Sequence, residues 1–582
     1  MFFATLVEAL LFYKVYALSY GFEPRLYTTK KLRGGEIYKK YVVCNRQGYK
    51  ENKNVENKGN TRLVKITRDA HLQKLTRKLN AFHKHTIINN SNVNIGASTS
   101  FRLCKEYTDG YENVGASLTD FKNLNRDIKC FIGSKDAQMF IDRFKEIAET
   151  HKGFYFAYYT DEAHILPRVF CCDSQSTQNY SLFGDAVSFD VTYRTNKYDM
   201  VFAPFTGGDH HKKSVTFGAR LLEHEDDESF KWCFEKFLDA MNQKEPQCFI
   251  TDQDPALILA VPAVFNKARH RFCIWHIMQK VTVKVGSSIC KDTGFLSRFN
   301  SVFWDITLDV SVGNIAPTVS EFEFKWAEVI KEFKLEDNSW LDSIYGDRAK
   351  WIHAYFTDLP MGCILRTMQI SESENSFFKR LENKFGTLVE FWLRFQSVMD
   401  QHRYAQTCVD KDSDHSLPNL VSPLAIVKDA LTVYTHAVFK EFREEVETAI
   451  CSCGVVGVTY ETYHEYSEFG DGIIGKIFQS CGKQLSKIPE KYILKCWTMN
   501  SYRTTFIDAH GTVDENVDAT HYHNLAVSNV WTEFYSIIPV LKSLPEGQVQ
   551  ELSNFLKSYR EKFCSQSLPM TKDQEMEQLL GV

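Results

Sequence analysis

Two aspartates, each in or at the end of an otherwise apolar and β-rich run, constrain this chain more than any other feature. Asp190 lies in FGDAVSFDVTYR and Asp252 lies in QCFITDQDPAL. A carboxylate in such a run is costly to bury unless it is paired or binds a metal ion. The segment from Phe183 to Val285, which contains both aspartates, is therefore the first place to look for a functional site.

The pattern around these aspartates predicts a specific order of strands and helices. It predicts strands over 186–192, 199–206 and 214–222, a helix over 226–241, a strand over 247–252, a helix over 255–265 and a last strand in RHRF. Asp226 or Asp227 suits the N-cap of the first helix. Three strands with short links indicate an antiparallel meander, and the helix allows a crossover to a strand parallel to the first. This order is typical of the ribonuclease-H-like fold.

Placing the first and fourth strands side by side brings Asp190 and Asp252 together. Two neighbouring carboxylates repel each other, and a divalent cation removes the conflict. Asp254, two residues after Asp252, is the competing candidate for the second acid. A third acid must come from later in the chain.

Composition limits the class of protein. The chain has 582 residues, of which 44% are apolar and 24% are charged, as in a soluble globular protein of several domains. A net charge of −4 gives no overall attraction to nucleic acid, so such contacts must come from local basic patches. The sixteen scattered cysteines indicate reduced thiols, some of them metal ligands, in an intracellular protein.

No apolar run is long enough to span a membrane, so we expect no membrane partner. The N-terminal MFFATLVEALLFYKVYAL lacks a basic start and a cleavage site, so it predicts an amphipathic helix rather than a signal peptide. Near the other end, the apolar residues of Glu546–Phe563 alternate steps of three and four, which indicates either a dimerising helix or a packed terminal helix. Nothing in the pattern points to a small-molecule substrate.

Several strings resemble one plant family closely, and they occur in that family's order from about Glu8 to about Trp497. They are NVNIGASTSFRL, DGYENVGASLTDFKN, DAQMFIDRF, LFGDAVSFDVTYRTNKYDMVFAPFTG, CFITDQDPAL, RHRFCIWHIMQK, SESENSFFKR and IPEKYILKCW. The chain resembles the far-red impaired response and far-red elongated hypocotyl family, which descends from Mutator-like transposases. The resemblance implies an N-terminal zinc-stabilised DNA-binding module, a transposase-like domain and a SWIM zinc finger, in a nuclear transcription regulator linked to light signalling.

The resemblance also assigns residues to a catalytic triad. Asp190 and Asp252 match its first two acids, and Glu372 matches the third. Such a triad holds two divalent ions, so Mg²⁺ is the expected cofactor if the chain is catalytic. Glu374 competes with Glu372, and a carboxylate at the start of a helix is explained equally well by the helix dipole.

The zinc modules that the resemblance implies have incomplete ligand sets in this chain. The candidate ligands are Cys44, His83, His85, Cys273, His276, Cys451, Cys453 and Cys481. TRLVKITRDAHL stands where the N-terminal module has its second cysteine, and Gly475-Lys476-Ile477 stands where the SWIM finger has Cys-x-His. Cys273 and His276 match the family's Cys-x-x-His, but two ligands do not make a zinc site, and buried core residues are the alternative. Zinc is therefore a family expectation, because such modules need it to fold.

The basic stretch Arg25–Lys40 is the candidate DNA-binding surface. Gly34-Gly35 predicts the turn of a hairpin, and a solvated hairpin without a ligand is the alternative. The candidate phosphate contacts are Arg25, Lys30, Lys31, Arg33, Lys39 and Lys40.

These observations predict an α/β (α+β) protein with a ribonuclease-H-like transposase core. The predicted regions are a degraded N-terminal DNA-binding-type module (1–90), a helical linker region (91–150), the core (151–285), a helical insertion (286–365), closing helices (366–410), a degraded SWIM-finger region (411–500) and a helical tail (501–582). A loop is predicted over 410–423. We predict a non-catalytic nuclear DNA-binding regulator that dimerises with itself or with related family members. The alternatives are an active Mutator-like transposase and a partner-binding paralogue that has lost DNA binding.

Overall fold

The computed structural model describes most of the chain. The described residues are 6–19, 24–31, 37–44, 78–163, 165–191, 193–194, 196–286, 289, 294–304, 319–356, 359, 377–381, 383–418, 420, 424–452, 487–488, 493, 495–499, 515–541, 543–564 and 571–580. They form two compact units, one of Met1–Met139 with Met570–Val582 and one of Phe140–Pro569. None of the described helices has a stretch both long enough and apolar enough to cross a bilayer.

The first unit contains a two-stranded hairpin and a group of short helices. Its elements are α1 (Leu6–Ser19), β1 (Pro24–Lys31), β2 (Ile37–Cys44), α2 (Ala81–Asn92), α3 (Ala97–Thr108), α4 (Leu118–Ile132) and, at the other end of the chain, α18 (Lys572–Leu580). The strands β1 and β2 pair antiparallel, so the predicted basic hairpin is confirmed. The predicted N-terminal helix is also confirmed.

The second unit contains a large mixed sheet and the helices that cover it. Its strands are β3 (Tyr155–Tyr159), β4 (Arg168–Cys172), β5 (Ala186–Phe189), β6 (Tyr193–Arg194), β7 (Val201–Gly208), β8 (Ser214–Leu222), β9 (Cys248–Thr251) and β10 (Arg269–Phe272). Its helices are α5 (Asp136–Thr150, which crosses the boundary between the units), α6 (Ser174–Phe183), α7 (Asp227–Ala240), α8 (Pro255–Val264), α9 (Ile274–Val285), α10 (Phe295–Trp304), α11 (Val319–Glu332), α12 (Ser339–Gly346), α13 (Leu388–His415), α14 (Ala425–Val433), α15 (His436–Ser452), α16 (Glu515–Leu541) and α17 (Glu546–Cys564).

The strand order of this sheet is β10-β9-β5-β7-β8-β4-β3, and the short β6 pairs with β7. The strands β5, β7 and β8 form the predicted antiparallel meander. After the crossover through α7, β9 lies parallel to β5, and β10 lies parallel to β9. The ribonuclease-H-like order predicted from the sequence is therefore confirmed.

Helices cover both faces of the sheet, as parallel strands require. On one face, the apolar side of α7 packs with α8 against the aromatic residues of β5, β7 and β9. On the other face, α14 and α15 pack against Ala186, Cys248 and Ile250. The side chain of Asp226 accepts a hydrogen bond from Ser229 N at 2.7 Å, which makes Asp226 the N-cap of α7, one of the two predicted residues.

Three boundaries differ from the prediction. The first core strand ends at Phe189 rather than at residue 192, and the second strand is shifted to Val201–Gly208. The predicted loop over 410–423 is wrong in its first part, because α13 continues to His415. The helix is nucleated by a capping box at Thr387 and Glu390 and packs its first half against the sheet, so its polar end needs no apolar contacts of its own to extend.

The aromatic layer between α7 and the sheet should carry much of the stability of this unit. Phe237 is fully buried and stacks on Phe205 with ring centroids 4.2 Å apart. Phe237→Ala should lower the free energy of unfolding by about 3–5 kcal/mol, because the ring is lost and a cavity remains. Urea denaturation measures this change. Phe324→Ala is the matched control, since Phe324 is 70% exposed and its loss should change stability by less than about 0.5 kcal/mol. Equal effects of the two variants would contradict this role.

Candidate functional site

The register of the parallel strands places the two predicted aspartates side by side. The pairs between β5 and β9 run from Ala186↔Cys248 to Ser188↔Ile250. Asp190 and Asp252 follow these strands at the same offset, so they lie next to each other at the carboxyl edge of the sheet. This edge is where parallel sheets usually place functional side chains.

The third parallel strand brings a histidine to the same edge. Cys273 directly follows β10 and donates its N–H to Thr251 O at 2.7 Å, and it stands at the N-cap position of α9. In the first turn of that helix, His276 Nε2 lies 3.6 Å from Asp190 Oδ1, and each of the two side chains is 16% exposed. Two carboxylates, a thiol and an imidazole therefore lie together at the carboxyl ends of three neighbouring strands.

The electrostatics of this group couple the histidine to the aspartates. Burial acts to lower the pKa of His276, but its hydrogen bond with the Cys273 side chain and the charges of Asp190 and Asp252 outweigh burial and raise it. The pKa of Asp252 is raised, mainly by burial, although His276 and the N–H of Asp254 oppose the change. The imidazolium form of His276 is thus a counter-cation built into the site.

Asp254, the competing candidate for the second acid, has a different role. Its Oδ1 accepts hydrogen bonds from Ala256 N at 2.8 Å and Leu257 N at 3.3 Å, so it is the N-cap of α8. Its own N–H donates to Asp252 Oδ1 at 3.2 Å. The geometry therefore favours Asp252 over Asp254 as the acid that faces Asp190.

A second layer of hydrogen bonds fixes the backbone at Asp252. Thr251 Oγ1 donates to Asp252 O at 2.7 Å and lies 2.8 Å from His270 Nε2. Because the single hydroxyl proton is used on the carbonyl, His270 Nε2–H donates to Thr251 Oγ1. Burial and the nearby charge of Lys350 lower the pKa of His270 to about 4, so the ring stays neutral at physiological pH.

Comparison with known proteins agrees with this architecture. Residues 186–280, which run from the start of β5 into α9, match the MULE transposase domain. FAR1-RELATED SEQUENCE 5 of Arabidopsis thaliana is 31% identical over 344 residues, which cover 59% of this chain and 42% of that protein. FAR-RED IMPAIRED RESPONSE 1 of the same plant is 32% identical over 365 residues, covering 61% of this chain and 43% of the relative.

The chain is therefore similar to proteins of the far-red impaired response family. FAR1-RELATED SEQUENCE 12 matches over a longer stretch, with 25% identity over 529 residues that cover 85% of this chain and 64% of that relative. The chain spans less than half the length of the first two relatives.

Several residues that the family resemblance singles out lie outside the described residues. These are Glu372, Glu374, Arg33, Cys453 and Cys481, and the side chains of Cys44, Cys451, Arg25, Lys30, Lys31, Lys39 and Lys40 also lie outside. Of the N-terminal histidines, His83 is buried, and its Nδ1 accepts a hydrogen bond from Asn80 N at 3.3 Å in the capping box of α2. His85 is exposed on the same helix, so the two imidazoles do not face a common ion.

The carboxylates of Asp190 and Asp252 are ligands of the type that Mg²⁺ uses. They fit a divalent cation in chemistry, and such an ion would supply charge neutralisation and the activation of a bound water. A cation there competes with the imidazolium of His276, because both neutralise the same two carboxylates. In the described part of the chain, the one group of three side chains whose ligand atoms all lie within 4.8 Å of one another is elsewhere, at His210, His211 and Asp410.

Reasoning from the sequence missed this second group. The adjacent His210-His211 in the link between β7 and β8 was a visible signal, since two consecutive histidines in a hairpin loop are unusual chemistry for a turn. Asp410 gave no signal, because it lies in the polar run that predicted a loop. Only the fold brings residues 200 positions apart together.

The counter-cation role of His276 leads to a prediction about its pKa. Asp190→Asn should lower the pKa of His276, because it removes the nearest negative charge; NMR titration of the imidazole in chelator-treated buffer measures this. Because the folded state binds the proton more tightly than the unfolded state, this pairing stabilises the fold at low pH and fades as the pH rises through the raised pKa.

Asp254→Asn is the matched control for this titration, because Asp254 is two residues from Asp252 but caps α8. It should leave the pKa of His276 closer to the wild-type value than Asp190→Asn does. An unchanged pKa in the Asp190→Asn protein would show that His276 is not the counter-cation.

Proposed function

We propose that the chain is a transposase-derived, non-catalytic nuclear regulator that binds DNA and takes part in transcription linked to light signalling. The observation that carries this proposal is the sequence similarity to relatives such as FAR-RED IMPAIRED RESPONSE 1, whose name refers to a far-red response. The transposase-like sheet acts in this proposal as a scaffold. DNA binding is assigned to the basic hairpin of the first unit.

The register of that hairpin supports a phosphate ligand. Lys30 and Lys39 are direct partners across β1 and β2, and Lys40 is the partner of Thr29 on the neighbouring pair. Like charges placed directly opposite each other destabilise a strand pair. A phosphate group bound between Lys30 and Lys39 removes that cost, so phosphate binding accounts for the presence of this lysine pair.

The electrostatics of the sheet edge support a non-catalytic role. Burial raises the pKa of Asp252, although His276 and the N–H of Asp254 oppose the change. His276 Nε2 lies 3.6 Å from Asp190 Oδ1, so its imidazolium form competes with a cation for this carboxylate. In this proposal the transposase residues keep the fold of the edge together and do not cut DNA.

An active Mutator-like transposase is the second candidate function. The observation in its favour is that Asp190 and Asp252 lie at the ends of adjacent parallel strands. The third acid by resemblance, Glu372, lies outside the described residues.

We also propose that the chain dimerises through α17, with itself or with related family members. This helix presents large exposed apolar side chains, including Phe555, Leu556 and Tyr559. A helix with this many exposed apolar residues is typical of an interaction surface. The alternative function, a partner-binding paralogue that has lost DNA binding, also predicts dimers of this chain with intact relatives.

The basic hairpin yields a prediction about salt dependence. Lys30→Gln with Lys39→Gln should weaken DNA binding about uniformly across sequences and reduce the slope of log K against log salt by about 1–2, since each lost phosphate contact removes about 0.9. Electrophoretic shift assays at several salt concentrations with many promoter fragments measure this slope.

The control is the pair Lys331→Gln with Lys428→Gln, which removes the same charge from two exposed positions outside the hairpin and outside α17. Its salt slope should equal that of the wild-type chain. Absence of salt-sensitive binding in the wild-type chain, or equal slopes for the two double variants, would refute the assignment of DNA binding to the hairpin.

A further inference from the structure

The loop between β7 and β8 has a fixed geometry that a buried aspartate sets. Asp209 N donates to Lys213 O at 2.8 Å. Asp209 Oδ1 accepts from His211 N and from Lys213 N, each at 2.8 Å. Lys212 takes a left-handed backbone conformation with φ of 58°. The two histidines of this loop are therefore held by backbone contacts that do not involve their own side chains.

The loop makes two consecutive imidazoles converge. Side chains of neighbouring residues point to opposite faces in a strand, but the rings of His210 and His211 have centroids 4.1 Å apart. Each histidine is 2% exposed. The ring of His210 is fixed further by stacking on Phe183, with centroids 5.4 Å apart and an angle of 8° between the planes.

A carboxylate from a distant helix meets both rings. Asp410 of α13 places Oδ1 2.9 Å from His210 Nε2 and 2.7 Å from His211 Nε2. The side chain of Asp410 is 26% exposed, so the group is closed on the histidine side and open to solvent on the aspartate side. Two imidazole Nε2 atoms and one carboxylate oxygen thus point at one small volume.

Hydrogen bonding alone does not account for all of these buried polar atoms. Both Nε2 atoms share a single oxygen, and His211 Nδ1 is buried with no hydrogen-bond partner among the residues that the structure describes. A cavity of about 210 Å³ lies against the same ring, lined among others by Asp209, His402 and Gln406. A cavity of this size with polar groups in its wall accommodates water.

We propose that His210, His211 and Asp410 bind a divalent metal ion of the zinc class, with a remaining coordination position filled by water. Two imidazole nitrogens and one carboxylate oxygen are ligands that zinc takes in proteins with an open fourth position. Ligand atoms about 2.0–2.1 Å from a tetrahedral zinc lie about 3.3 Å apart. The nitrogens therefore move about half an ångström away from the carboxylate when the ion enters.

The protons balance without an external base. In the metal-free form each Nε2–H donates to Asp410. On binding, the proton on each Nε2 moves through water to Nδ1, and the Nε2 lone pair that this frees coordinates the ion. Water in the adjacent cavity then accepts the Nδ1–H of His211.

The ion joins segments that are far apart in the sequence. The same loop already contacts the region of α15, where Thr435 Oγ1 donates to His210 O at 2.6 Å and Lys212 pairs with Glu441. The metal adds a bond from the β7–β8 loop to α13. Because it binds only the folded arrangement, it stabilises the fold by mass action. This role is independent of DNA binding and of the zinc modules that the family resemblance implies.

Zinc and cobalt binding to the full chain tests the proposal. After removal of metal with a chelator, titration with Zn²⁺ should restore about one bound ion at this group and raise the melting temperature by about 2 °C or more. Co²⁺ should give the visible absorption of a low-symmetry site with nitrogen and oxygen ligands. His211→Ala and Asp410→Asn should each lose one bound zinc relative to the wild-type chain, together with this absorption and the zinc-dependent rise in melting temperature.

Matched variants separate this group from the rest of the chain. Asp412→Asn on the exposed side of α13 and His224→Ala in the exposed loop after β8 should bind zinc as the wild-type chain does. Asp190→Asn with Asp252→Asn, and Cys451→Ser with Cys453→Ser, should keep the ion at this group.

Asp410→Asn also distinguishes loss of zinc binding from loss of folding, since Asn Oδ1 accepts the same two hydrogen bonds and the variant should fold. Its melting temperature without metal should lie below that of the metal-free wild-type chain, because an amide oxygen is a weaker acceptor than a carboxylate, and zinc should not raise it. Equal zinc content in the wild-type and Asp410→Asn proteins would overturn the proposal. So would a wild-type chain whose melting temperature does not respond to zinc.

Discussion

Parallel hydrogen bonding between β5, β9 and β10 places the carboxyl ends of three strands at one edge of the sheet. The rest of the candidate site depends on that register. A shift of one residue would turn Asp190 or Asp252 to the opposite face. The pairing is held because both faces are buried, by the aromatic layer under α7 on one side and by α14 and α15 on the other. The core thus fixes the position of polar groups that contribute little to it.

The same edge shows how a buried group of charges is made tolerable. Two carboxylates near each other are costly at low exposure, and the site offsets this cost with an imidazole from α9 and with the N–H of Asp254. Neutralisation by the protein's own groups differs from neutralisation by a bound ion, because it needs no cofactor to keep the fold. This difference is the physical basis for the proposal that the transposase-like residues act as a scaffold.

The order of elements in the core could be predicted from the sequence because its signals are local. Alternating and apolar runs mark β5, β7, β8, β9 and β10, and the stripe of Phe230, Phe234 and Phe237 marks α7. The same logic brought Asp190 and Asp252 together, since two parallel neighbours share one edge. Asp254 is considered from the sequence only as a competitor of Asp252, although its position before Pro255 is a local signal for the N-cap that it forms.

Other features depend on contacts between distant segments and gave no local signal. The pairing of β4 with β8 extends the sheet beyond the five core strands, and no pattern in either sequence predicts which strand it pairs with. The packing of α14 and α15 on the sheet could not be predicted either, because their apolar faces fit many surfaces. The polar neighbours of Asp410 predict a loop, but a long helix tolerates a polar end once its first turns are capped and packed. Its meeting with His210 and His211 is a property of the fold alone.

The most direct test of the account is a strand-transfer assay with the purified full chain, transposon-end DNA and Mg²⁺ or Mn²⁺. The account predicts no metal-dependent joining of DNA ends above the level of the Asp190→Ala and Asp252→Ala variants, although the wild-type chain binds the DNA. Metal-dependent strand transfer by the wild-type chain that is lost in both variants would contradict it. That result would identify the sheet edge as a working transposase site.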